Sequence, residues 1–117
     1  MPDLALMDLN ELRDIVGEWA ERKGWKSIDP QRTFAEKIAL THTELSEALE
    51  EFRNGHTLDE LYYGEGGKPE GVPSELADVI IRVLQISSDA GIDIANAVAI
   101  KMSYNETRPH KHGGKKI

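Results

Sequence analysis

The residues best equipped for chemistry are four carboxylates in two pairs: Glu44 and Glu47 in the run Glu44-Leu-Ser-Glu47, and Glu75 and Asp78 in the run Glu75-Leu-Ala-Asp78. A spacing of three places both members of a pair one turn apart on the same side of an α-helix. Glutamates at such intervals commonly decorate a solvated helix face. The second pair differs, because it opens the run LADVIIRVLQIS, which is apolar nearly all round, and carboxylates drawn into such surroundings need partners. If the two helices pack together, these four acids and Glu51 converge and repel one another by kilocalories unless a cation joins them. Arg82, one turn after Asp78, neutralises one charge only. A hard divalent ion with oxygen ligands drawn from these carboxylates answers the remainder, and magnesium or manganese fits best.

A basic stripe accompanies the acids. Lys101, Asn105 and Arg108 follow one another at spacings of four and three, so a cation, an amide and a guanidinium share one side of a helix and suit phosphate oxygens. The same residues also fit an ordinary helix end, where the dipole favours basic side chains. Lys37, seven residues before Glu44, has the same double reading. Trp25 lies in a connector, where stacking on a nucleobase competes with a purely structural role. Trp19 continues an apolar stripe and reads as core. His42, His56, His110 and His112 are not placed on the metal site, since His42 points elsewhere on its helix from Glu44 and the last two belong to the tail.

These groups are positioned by four predicted helices. Leu9, Leu12, Ile15, Val16 and Trp19 recur at helical intervals, giving a helix over about 8–23, capped by Asp8 and closed by Gly24. After the connector 25–30, Phe34, Ile38, Thr41, Leu45, Leu49 and Phe52 form one apolar face of a helix over about 31–53. Glu44, Glu47 and Glu51 border that face. Residues 54–73 hold five glycines and two prolines and read as a connector with at most a helical turn at 57–63, either mobile or serving as a lid or subunit contact. Ser74 is the expected N-cap of a third helix to about Ala90, stopped by Gly91 and expected to be the most buried of the four. Asp93 caps a fourth helix to about Glu106. The fold class is therefore all-α, a four-helix bundle-like single domain over 1–117, with a flexible tail from about 108.

Composition agrees with one small domain: 117 residues, 39% hydrophobic and 30% charged. A helical domain of this size often completes its core by pairing with a second copy. The absence of cysteine removes disulfide and thiolate chemistry. The net charge of −7 argues against nucleic-acid backbones as partners. It also means that an acidic protein handling a nucleotide needs an intervening cation. No basic leader or membrane-length apolar run is evident, so a soluble, cytoplasmic protein is expected.

The runs KIALTHTELSEALEEFRNG, KPEGVPSELADVIIRVLQIS and KMSYNETRPHKHGGK resemble the MazG-like nucleotide pyrophosphohydrolases of the all-α NTP pyrophosphatase superfamily over about residues 32–115. That family carries ExxE and ExxD motifs, matched by Glu44, Glu47, Glu75 and Asp78. The resemblance implies magnesium on the four acids, triphosphate contacts from Lys101 and Asn105, with Arg108 and Lys37 as further candidates, and assembly as homodimers or homotetramers. The reaction it implies is hydrolysis of a nucleoside triphosphate to monophosphate and pyrophosphate, with Glu47 the first candidate base and Glu44 the second. The long connector departs from the family pattern, which leaves substrate preference open. Two alternatives stand beside this reading: a non-catalytic helical interaction module, and a phosphoribosyl-ATP pyrophosphatase-like hydrolase.

Overall fold

A computed structural model describes residues 8–25 and 30–109. Among them are four α-helices: α1 (Leu9–Arg22), α2 (Pro30–Arg53), α3 (Val72–Ala90) and α4 (Ile94–Glu106). The expected flexible tail lies, from residue 110 onward, outside the described residues, as do His110 and His112. Among the described residues, no helix is long and apolar enough to cross a membrane.

Helix α3 is the centre on which α1 and α2 both pack. Lys37 meets Asp89 while Glu44 meets Arg82, so α2 and α3 run antiparallel. Arg13 donates to the Ile92 carbonyl at 2.6 Å, and a Cβ on Gly17 would lie 2.1 Å from Ser88 Oγ. Helix α1 therefore also opposes α3, approaching so closely that a side chain at position 17 would have to displace Ser88. Asp8 caps α1 by accepting from Glu11 N–H, and Asp93 caps α4 by accepting from Asn96 N–H. Asn10 links the two helix starts, donating to Asp93 Oδ1 and accepting from Ala95 N–H.

Three expectations are corrected. The connector contains a small antiparallel pair, β1 (Tyr62–Tyr63) and β2 (Pro69–Glu70), where a structureless loop or helical turn was expected. Helix α3 begins at Val72 rather than Ser74. Its cap position is Gly71, at φ 110°, where a Cβ would meet the Glu60 carbonyl at 2.2 Å, and the Ser74 hydroxyl donates to the Pro69 carbonyl instead.

The third correction concerns which face of α2 is inside. Phe34, Leu45, Leu49 and Phe52, the expected core face, are 47%, 47%, 58% and 56% exposed. The strip turned to α3 is Lys37, Thr41, Glu44, Ala48 and Glu51, all buried or half-buried. This helix places its charged strip in the seam and its apolar strip outside. Helix α3 holds buried Val72, Leu84 and Ile86, but Leu76, Ile80 and Val83 form a further exposed strip.

Candidate active site

The seam between α2 and α3 gathers the acids. Carboxylate oxygens of Glu44, Glu75 and Asp78 all lie within 4.8 Å of one another. Helical spacing explains the arrangement: Glu75 and Asp78 share one side of α3, and antiparallel packing on Ala48 sets Glu44 opposite them. Glu75 Oε2 is buried and meets no hydrogen-bond donor. Burial first, then a hydrogen bond with Glu47, then the charges of Glu47, Asp78 and Glu44 push the Glu75 carboxyl up to about 7. Glu47 thus joins the cluster through Glu75 while its own side chain is exposed.

A pH dependence follows. The folded-state pKa of Glu75 is raised, so stability held with the proton on is lost as pH climbs from about 4.5 toward and past about 7. The metal-free protein is expected to melt at lower temperature at pH 8 than at pH 5.5, with Glu75→Gln flattening this part of the slope. Differential scanning calorimetry across pH checks it; an identical slope in the variant would refute the assignment of the proton to Glu75.

Arg82 lies across the seam, with Nη2 and Nε at 3.2 and 3.4 Å from Glu44 Oε1. It is the one cation among the described residues recorded as paired with a member of the acid trio. Glu51 does not join the trio. Its carboxylate accepts from Tyr62 Oη at 2.8 and 3.1 Å and approaches His56 Nε2 at 3.5 Å. The His56 ring stacks on Tyr62 at 4.6 Å. This cluster ties the connector to α2, and the hydrogen bond to Glu51 first, then burial, then the charges of Glu51, Glu70 and Glu60 push the Tyr62 hydroxyl up to about 12.

A cavity of about 430 Å³ opens beside Glu44, Asp78 and Arg82, with Trp19, Trp25, Ile81 and Gln85 as its other walls. That volume falls in the range of small-molecule sites. Trp25 is 54% exposed and meets Trp19 edge to face, centroids 4.9 Å apart. Buried Gln85 donates from Nε2 to the Trp25 carbonyl at 3.0 Å, and because a carbonyl only accepts, the amide orientation is fixed. Trp19, read as core, is half-buried and walls the cavity. Gln85 was missed, since a lone glutamine on an apolar helix carries no motif.

The other expected site residues lie elsewhere. Lys37 pairs with Asp89 in a seam where both side chains are largely buried, 14% and 6% exposed. Lys101, Asn105 and Arg108 are exposed on and just beyond α4, which packs on α1. Lys101 lies 5.6 Å from the Tyr104 ring centroid. Within one chain the basic stripe and the acid cluster are not brought together by any described contact.

No family model and no solved structure matches the chain significantly. Among curated proteins, it is 37% identical over 98 residues to a dATP/dGTP diphosphohydrolase of Salmonella phage PMBT28. The match covers 84% of this chain and 26% of that protein, so the chain spans about a quarter of the length of its relative.

Proposed function

We propose that this chain is a metal-dependent nucleoside triphosphate pyrophosphohydrolase, converting an NTP or dNTP and water to the monophosphate and pyrophosphate. The observation that carries the reading is the half-buried carboxyl of Glu75, one oxygen of which is buried without a donor and whose ionisable neighbours are other acids, standing beside a cavity walled by two tryptophans. The name of the phage relative supports it and puts dATP and dGTP first among substrates to test.

The donor set fits a divalent cation. Glu44, Glu75 and Asp78 offer oxygens close enough to share one ion, Glu47 adjoins them, and all-oxygen carboxylate ligation suits Mg2+ or Mn2+. When bound there, such an ion supplies charge neutralisation and Lewis acidity at the phosphates. The residues do the rest. Glu47, exposed at the edge of the cluster, takes the proton of the attacking water as its oxygen bonds the α-phosphorus and the bond to the pyrophosphate oxygen breaks. Glu44, paired with Arg82, is the second candidate for that base.

Trp25 is the stacking surface for the base, held by its edge contact with Trp19 and by Gln85 on its carbonyl. Loss of a base–aromatic stack costs about 1–3 kcal/mol, so Trp25→Ala is expected to raise KM about tenfold with little change in kcat. Nucleotide addition should also quench the intrinsic fluorescence of the wild type, because both tryptophans of the chain line the cavity. Unchanged KM in the variant refutes the stacking role.

A second copy completes the site in this reading. The outward apolar strips of α2 and α3, with exposed Ile100, Met102 and Tyr104 on α4, support homo-oligomer formation, in which Lys101, Asn105 and Arg108 of one copy reach the phosphates over the acids of another. Lys37 is assigned to holding α2 on α3 through Asp89. The test is pyrophosphate release from a nucleotide panel that includes phosphoribosyl-ATP, with and without Mg2+. Release from dATP or dGTP only with the metal is expected; no release from any nucleotide overturns the proposal in favour of an interaction module.

A further inference from the structure

The proposed reaction leaves without a task the cation that already pairs with a member of the acid cluster. Arg82 reaches from α3 to a single oxygen of Glu44, with both contacts at the long end of hydrogen-bond range. This is not the forked, two-oxygen geometry in which a guanidinium binds a carboxylate most tightly. Glu44 is 13% exposed and Arg82 34%, so the pair lies at the mouth of the seam. The arginine also walls the cavity that holds Trp25 and Gln85. One side chain therefore borders both the charge that a metal would claim and the space that a nucleotide would enter.

We propose that Arg82 is a substrate-binding residue that stands on Glu44 while the cluster lacks a metal and, when a divalent ion takes that charge, turns to a phosphate oxygen of the nucleotide in the adjacent cavity. The inference rests on the metal reading of the cluster. Its physical basis is competition: one carboxylate oxygen cannot serve the guanidinium and the ion equally well, and the displaced guanidinium has five N–H donors suited to phosphate. The arrangement also neutralises part of the cluster's self-repulsion before any metal arrives.

The two roles give opposite signs in one variant, which a purely structural residue cannot do. Calorimetric titration of Mn2+ into the nucleotide-free protein is expected to show Arg82→Gln binding the ion about tenfold more tightly than wild type, because a competing cation is gone. Titration of a nucleoside triphosphate with a non-hydrolysable α,β bridge, at saturating Mn2+, is expected to show the same variant binding about tenfold more weakly. Arg82→Lys keeps the charge and should fall between on both measures, with circular dichroism confirming helix content throughout. Equal or weaker Mn2+ binding by Arg82→Gln overturns the proposal, as does undiminished binding of the nucleotide analogue. Glu75→Gln separates the two levels. If it binds Mn2+ as wild type does, the metal reading itself fails and takes this inference with it; if it loses the ion while Arg82→Gln shows no opposed shifts, Arg82 alone is reassigned.

Discussion

Asp78→Asn is expected to lower pyrophosphate release by about a thousandfold or more while leaving helicity and melting temperature near those of the wild type. The size of the effect follows from what an amide removes. Asp78 contributes an oxygen within 4.8 Å of those of Glu44 and Glu75, and an uncharged carboxamide of the same shape offers one weaker ligand atom and withdraws one negative charge from the ion. The fold has little reason to resist, because Asp78 adds repulsion to a cluster that already holds Glu75 protonated toward neutrality, and relieving like charges does not destabilise. Steady-state kinetics with Mg2+, set beside thermal melts without it, separates the two effects. Turnover close to wild type would remove Asp78 from the chemistry, whereas a collapse in melting temperature without Mg2+ would mean that its role is structural.

That such a variant could be designed from the sequence reflects how local the signal is. An acid pair three residues apart needs nothing but helical geometry to share a side, so Glu44 with Glu47 and Glu75 with Asp78 were legible before any packing was known. The cap residues Asp8 and Asp93 were equally local. The rotation of α2 was not. Its apolar stripe from Phe34 to Phe52 and its inner strip from Lys37 to Glu51 interleave at the same period, and the choice between them depends on partners outside the helix. The usual rule sends the apolar stripe inward; here the charged strip packs on α3, because Ala48 permits close approach and Asp89 and Arg82 pair with Lys37 and Glu44. The start of α3 was missed for a similar reason. Ser74 is a standard cap, but the helix starts after Gly71, whose positive φ and close approach to the Glu60 carbonyl leave no room for a Cβ and cannot be read from local sequence.

The inverted α2 carries the second large expectation. Each large apolar side chain left in water forgoes about 1.5–3 kcal/mol of burial, and α2 leaves four of them more than 45% exposed along one strip. In the proposed homo-oligomer this face meets its own copy across a twofold axis, where one substitution acts twice. Replacing Leu45 and Leu49 together by glutamate keeps a good helix former at both positions, and adds four charges to such an interface in a protein already at net −7. The double variant is expected to sediment as a single copy and to lose turnover at least about a hundredfold, because Lys101, Asn105 and Arg108 no longer reach the phosphates. Its Mn2+ binding should survive, since Glu44, Glu75 and Asp78 belong to one chain. Metal retained and turnover lost is the pattern that distinguishes a site shared between copies from one complete within a chain. A single-copy variant with full activity would show instead that the basic stripe takes no part, and that one chain alone carries the chemistry.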